Sequence, residues 1–310
     1  MILTEPPRAA QDAADMTVPA RRQTLLFRPA SGPVSALAVE LHGSGLDPER
    51  HHRMTGLAEL LVPHGIAVLI PQAGTPFRLM PASTQGFAWT VPGAPLPDAT
   101  GAGGATDGGD AQADDDVDDI AYLAALVAQT QRMLGLCGAP LFLSGYSGGA
   151  RLASHLLTSG PLAWTAAALV AGLRFVEGHR RPPMTIVFHG IADAINPLGG
   201  GAGPRWDMSV AEAASRYARA QGCVSPPRRG DVPGADVQVH RTPDGEGALS
   251  LYVEAGAGHA WPGTRDAEHV ALFGPPGGHL DASRLIADFF LARIEVRHPP
   301  DIGRRRPGQD

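Results

Sequence analysis

Ser147 lies in the run Gly145-Tyr146-Ser147-Gly148-Gly149. A serine framed by glycines can act as a nucleophile if the chain also supplies a base and a group that orients the base. Leu141-Phe142-Leu143 before it reads as a strand and residues 150–157 after it as a helix. The serine therefore falls on a sharp strand-to-helix turn, a nucleophile elbow, where glycines let the strained backbone pass close to neighbouring strands and leave Oγ exposed. Two later segments supply the rest. Residues 184–189 form a β-branched and apolar run that ends in a loop carrying Asp193, the predicted acid. Residues 249–253 run into the glycine-rich loop Ala255-Gly256-Ala257-Gly258-His259, whose histidine is the predicted base.

An oxyanion hole needs the amide after the nucleophile and one from the loop after an early strand. Residues 34–41 read as that strand and end in His42-Gly43-Ser44-Gly45, so the backbone amides of Ser44 and Gly148 are assigned to it. The Ser44 hydroxyl has no part in this reading. The chain order Ser147, Asp193, His259 is that of α/β-hydrolases and differs from that of the chymotrypsin and subtilisin types. Among the other histidines, His189 is expected to pack or hydrogen-bond beside the site, and His269 and His279 to lie at the surface.

The elements that must position these residues alternate as a mostly parallel, doubly wound sheet flanked by helices requires. Residues 24–27 and 34–41 open the sheet, a helix covers 49–61, and 66–70 is a buried strand. Ile120, Leu123, Leu126, Val127 and Leu134 recur at helical spacing before the elbow strand. A further helix spans 210–220, and Leu285, Ile286, Phe289 and Phe290 give the last helix an apolar face. Residues 1–22 and 297–310 read as flexible ends around one catalytic domain at 23–296. Within it, 92–113 is rich in glycine, alanine and aspartate and reads as a mobile surface loop, inert or a lid over the acyl pocket.

Composition excludes several classes. A net charge of −6 gives no electrostatic footprint for nucleic acid or an anionic membrane, and no apolar run is long enough to span a bilayer. Gly101-Ala102-Gly103-Gly104 follows no strand and lacks the third glycine of a dinucleotide site. The acid run 114–119 has Asp119 where a calcium loop needs glycine and is read as charge at a helix N-terminus. His51-His52 lacks the spacing of a zinc site, so no metal and no cofactor are expected.

Leu41-His42-Gly43-Ser44-Gly45, Val117-Asp118-Asp119-Ile120, the elbow, His189-Gly190-x-x-Asp193 with Ile195-Asn196-Pro197, and Gly258-His259-x-Trp261-Pro262-Gly263 resemble the polyhydroxybutyrate depolymerase and feruloyl esterase-like group of α/β-hydrolases. So does Asp281-Ala282-Ser283 followed by Phe289-Phe290. The resemblance runs from about 34 to about 292 and implies the same triad, acting on small-molecule or polymeric esters. Relatives commonly carry a signal peptide, whereas residues 1–28 have no apolar core of that length, so the chain as given reads as cytoplasmic. They also commonly pair a cysteine matching Cys223 with one shortly before the catalytic histidine. Residues 231–258 hold none, and Cys137 and Cys223 read as reduced thiols. Trp89, Tyr146 and Trp261 are the pocket candidates, with ordinary packing the competing account of both tryptophans. Two alternative functions use the same fold: a serine peptidase and a catalytically inactive binding protein.

Overall fold

The computed structural model describes residues 22–79, 83–94, 96, 118–203, 205–245 and 248–297. In chain order the strands are β1 (Thr24–Phe27), β2 (Ala36–Leu41), β3 (Ile66–Pro71), β4 (Thr75–Phe77), β5 (Gly86–Ala88), β6 (Leu141–Tyr146), β7 (Ala166–Val170), β8 (Met184–Gly190), β9 (Arg228–Val232), β10 (Ala235–Arg241) and β11 (Ala248–Glu254). The helices are α1 (Pro48–Thr55), α2 (Leu57–Leu61), α3 (Asp119–Leu134), α4 (Gly148–Ser159), α5 (Val210–Ala220), α6 (Ala267–Phe273) and α7 (Ala282–Arg297).

Nine strands form one sheet in the order β1-β3-β2-β6-β7-β8-β11-β10-β9. The six from β3 to β11 in that order run parallel, and β1, β10 and β9 add antiparallel edges. Parallel strands between two helical layers are buried on both faces, which is why β2, β3, β6 and β7 are buried at every position. Side-chain alternation divides the core in two. Leu37, Val39 and Leu41 of β2 pack with Leu123, Val127, Leu152 and Tyr217 of α3, α4 and α5. Ala36 and Ala38 face the other way, with Leu57, Leu61, Ile286 and Phe290 of α2 and α7. The Phe142 and Phe290 rings stack there with centroids 4.6 Å apart.

The strands and helices expected from the sequence form with bounds shifted by a few residues. One expected element divides. The 49–61 helix becomes α1 and α2, because Gly56 adopts φ 56° and its amide caps α1 on the His52 carbonyl. The alanine-rich β7 gives no strand signal, since alanine has low strand propensity; burial between β6 and β8 imposes its conformation. Most of 92–113 lies outside the described residues, as do 1–21 and 298–310. Cys137 is exposed, Cys223 is buried, and the two are not joined. No described helix is long and apolar enough to cross a membrane, and no group of three or more His, Cys, Asp or Glu suited to a metal occurs among the described residues.

The acids that open α3 do two different jobs. Asp118 is the N-cap, its carboxylate accepting from the Ile120 and Ala121 amides. Asp119 is turned inward rather than towards solvent. It is buried, accepts from the Gly74 amide at 3.1 Å and the Thr90 amide at 2.7 Å, and pairs with Arg22. It thereby ties α3 to the segments leaving β3 and β5. Asp119→Ala strands the Arg22 guanidinium and two amides, so chemical denaturation is expected to show a loss of about 3–5 kcal/mol. A loss below about 1 kcal/mol would contradict the clamp.

Candidate active site

Because β2, β6, β8 and β11 run parallel, their carboxyl ends share one edge, and the loops that leave that edge carry Ser44, Ser147, Asp193 and His259. The topology brings together residues up to 215 positions apart in sequence (259 − 44).

Ser147 has φ 51° and ψ −112°, a conformation rare for any residue but glycine. Such a backbone persists only where its surroundings hold it. The Ser147 amide donates to the Val170 carbonyl at 2.8 Å, and the Ser147 carbonyl accepts the Arg151 amide at 3.0 Å as α4 begins. Gly149 allows α4 to start this close to β2: a Cβ there would lie 2.1 Å from the Leu41 carbonyl oxygen.

Ser147 Oγ lies 2.9 Å from His259 Nε2, and His259 Nδ1 lies 2.7 Å from Asp193 Oδ2. Burial raises the Asp193 pKa. Hydrogen bonds from His259 and the Asn196 amide outweigh it, holding the carboxyl below the ordinary carboxylate value. An ionised Asp193 can only accept, so His259 Nδ1 donates to it and a neutral His259 offers its Nε2 lone pair to the Ser147 hydroxyl. The Ile195 and Asn196 amides fix the other carboxylate oxygen at 2.9 and 2.7 Å. The His259 loop is pinned from behind: its Gly258 and His259 amides donate to the Pro275 and Phe273 carbonyls. The Tyr146 hydroxyl donates to the His259 carbonyl at 3.0 Å.

The two assigned oxyanion donors are neighbours. A Cβ on Gly148 would stand 3.2 Å from the Ser44 amide nitrogen and 2.3 Å from Ser44 Oγ. As the first residue of α4, Gly148 has an amide that the helix leaves free. Behind the Ser44 loop, His42 Nε2 accepts the Ala73 amide at 3.0 Å while Nδ1 donates to the Gly43 carbonyl. Burial drives the His42 pKa to about 3, which keeps the ring neutral, as the acceptor role of Nε2 requires.

A cavity of about 470 Å³ opens beside Ser147 and His259. Ser44, Leu79, Leu96, Tyr146, Ile195, Trp206 and Phe273 line it, together with Arg151 and Arg205. Its size suits a small organic ligand.

Of the three aromatic residues expected at the pocket, Tyr146 lines it and the two tryptophans do not. Trp89 is buried, its indole N–H donating to the His42 carbonyl at 2.9 Å, so it braces the Ser44 loop from the core side. Trp261 is fully buried and donates to Ser283 Oγ at 2.9 Å, and Ser283 donates onward to the Thr55 carbonyl. The His-x-Trp-Pro-Gly segment thus bolts the His259 loop to α1 and α7. His269, expected at the surface, is buried and accepts the Trp261 amide at 3.3 Å. His189 lies beside the site, with Nε2 2.8 Å from the Asn196 carbonyl and 3.5 Å from Asp193. The indole of Trp206 stacks on it with ring centroids 5.7 Å apart. Trp206, Phe273 and Arg151 were not singled out by the sequence.

No protein-family model matches the chain, and no curated protein does so by sequence. Among solved structures the chain is similar to esterase PE8, at 15% identity and TM-score 0.53, over 88% of this chain and 99% of that one. It is also similar to an acetyl xylan esterase from Aspergillus awamori, at 13% identity and TM-score 0.54, over 81% and 93% of the two chains. What is shared at these identities is the architecture. The protein has the α/β-hydrolase fold, in a single domain.

Proposed function

We propose that the protein is a serine carboxylic ester hydrolase, with Ser147 as nucleophile, His259 as general base and Asp193 as its orienting acid. The observation that carries the reading is the continuous hydrogen-bonded chain from Asp193 through His259 to a strained Ser147 at the mouth of a cavity. The names of the two structural neighbours, both esterases, agree with it.

In this mechanism His259 Nε2 takes the hydroxyl proton as Ser147 Oγ attacks the ester carbonyl carbon. The Ser44 and Gly148 amides stabilise the oxyanion of the tetrahedral adduct. Collapse of the adduct breaks the C–O bond to the alcohol, which leaves with the proton from His259. Water, deprotonated by the same histidine, then attacks the acyl-enzyme, releasing the carboxylic acid and restoring Ser147. The steps need no cofactor. The resemblance of the sequence motifs to those of polyhydroxybutyrate depolymerases and feruloyl esterases makes hydroxyalkanoate and aryl esters the first substrates to try.

The test is a hydrolysis panel of short-chain nitrophenyl esters, hydroxybutyrate oligomers and polymer, feruloyl esters and peptide amides, combined with labelling by a fluorophosphonate. Ester turnover with stoichiometric labelling at Ser147 is expected. Cleavage confined to peptides would make the protein a peptidase, and absence of both labelling and turnover would make it a binding protein of this fold.

A further inference from the structure

Arg151 and Arg205 give the cavity an unbalanced positive charge. Arg151 stands in the first turn of α4, four residues after Ser147, and is 5% exposed. Its only hydrogen bond to a side chain among the described residues is a long one, from Nη1 to Asn196 Oδ1 at 3.3 Å. Its Nε is buried without a partner, as is that of Arg205. Neither forms an ion pair with any described carboxylate, whereas the nearby Arg174 pairs with Asp207 at 3.3 Å.

The cost of this arrangement is visible. Burial, followed by repulsion from Arg205 and Arg174, lowers the Arg151 pKa to about 9. A buried guanidinium with open donors and a like charge beside it is stabilised by an anion. Asp193 is already committed to His259 and two amides. Among the described residues no other carboxylate pairs with either guanidinium, so an anion that enters with a ligand meets open donors there. The apolar residues Leu79, Ile195, Trp206 and Phe273 line the remainder of the cavity and suit a short hydrocarbon spacer.

We infer that Arg151 and Arg205 form a carboxylate-binding subsite, so that the preferred substrates are small esters bearing a free carboxylate a few bonds from the scissile carbonyl. This rests on the esterase reading and narrows its substrate class. The carboxylate can sit on the acyl side, as in a half ester of a dicarboxylic acid, or on the alcohol side, as in an ester whose leaving group is a hydroxy acid.

Two substrate pairs separate these sources. The first is the nitrophenyl half ester of glutaric acid against the nitrophenyl ester of glutaramic acid. The second is the butyryl ester of 3-hydroxybutyrate against its primary amide. For at least one pair, kcat/KM is expected to favour the charged member, and Arg205→Met or Arg151→Met should cut that ratio by about 10- to 100-fold, as loss of a charge-assisted hydrogen bond does. Arg151→Lys, which keeps the charge, should restore part of it. If Arg151→Met does not fold, Arg205→Met carries the comparison.

Binding provides a readout independent of turnover. The Ser147→Ala protein, titrated calorimetrically with glutarate and 3-hydroxybutyrate, should bind one of them, and adding Arg151→Met or Arg205→Met should weaken that binding. Equal kcat/KM within both pairs, with no binding of either anion, would overturn the subsite and leave the esterase intact. Anion binding that depends on these arginines, without turnover of any ester, would keep the subsite and overturn the esterase.

Discussion

Ser147→Ala and His259→Ala are each expected to lower kcat on a nitrophenyl ester by several orders of magnitude, and the double variant should be little worse than either single one. The reason is that in the proposed mechanism the three side chains form one proton-transfer unit. Removing Oγ leaves His259 with nothing to deprotonate, and removing the imidazole leaves a hydroxyl that is a poor nucleophile at neutral pH. Each single change therefore disables the same step. Asp193→Asn should also be severe, by a different route. Asp193 Oδ2 receives the Nδ1 proton of His259 across 2.7 Å, and an amide donor at that position would favour the tautomer protonated at Nε2. That tautomer presents a proton, rather than a lone pair, to Ser147 Oγ across 2.9 Å. Residual rates in all of these variants should stay above the uncatalysed rate, because the Ser44 and Gly148 amides remain. Near-normal hydrolysis by folded Ser147→Ala would sink the mechanism, and additive losses in the double variant would show that the residues do not act as a unit.

The placement of Ser147, Asp193 and His259 was legible in the sequence because their surroundings are sterically demanding. Gly149 has no substitute where a Cβ would lie 2.1 Å from a strand carbonyl, so the elbow leaves a mark in the chain. Asp193 and His259 each follow an apolar run, and parallel strands bring such run-ends to one edge. Less visible was the direction in which a loop residue points. Trp89 and Trp261 flank functional loops, and their indoles turn to the core, where each finds a hydrogen-bond acceptor. His269 follows a Gly/Pro-containing stretch that reads as surface, yet α6 folds it back against Tyr146 and Phe273. Arg151 was hidden by its type: an arginine in a helix after the elbow reads as solvated, yet it is 5% exposed, with Nη1 turned to Asn196. Trp206 sits in a glycine-rich segment without periodicity, so nothing local marks it as a wall of the cavity.

Stability should fall steadily as pH drops from about 6.5 towards 4.5, before most carboxylates titrate, with His42 and His269 as the principal identifiable causes. Burial lowers the pKa of both to about 3, and for His269 the charges of His259 and His51 add to the effect. In the unfolded chain each returns to the ordinary value of 6.5. Between those two values the unfolded state binds a proton that the folded state refuses. Each ring's contribution to stability is therefore complete above pH 6.5 and is lost as pH falls, at up to about 1.4 kcal/mol per pH unit per histidine. Structure explains the refusal: His42 Nε2 must accept the Ala73 amide and His269 Nε2 the Trp261 amide, and a protonated ring can accept neither. His155, His189 and His240 are shifted in the same direction by burial and steepen the wild-type curve. Asp193 acts lower, since a depressed carboxylate loses its contribution only below its unfolded value of 3.8. The window from pH 4.5 to 6.5 lies above the ordinary carboxylate range, and a slope that changes on replacing one histidine reports that ring. Urea unfolding of wild type and His269→Gln at several pH values across it should show a slope shallower in the variant by about one proton, because glutamine can accept the Trp261 amide without titrating. His42→Gln should flatten the curve similarly. Parallel slopes in all three proteins would mean that these rings carry their protons inside the fold, and that the hydrogen bonds bracing the Ser44 and His259 loops are not those described.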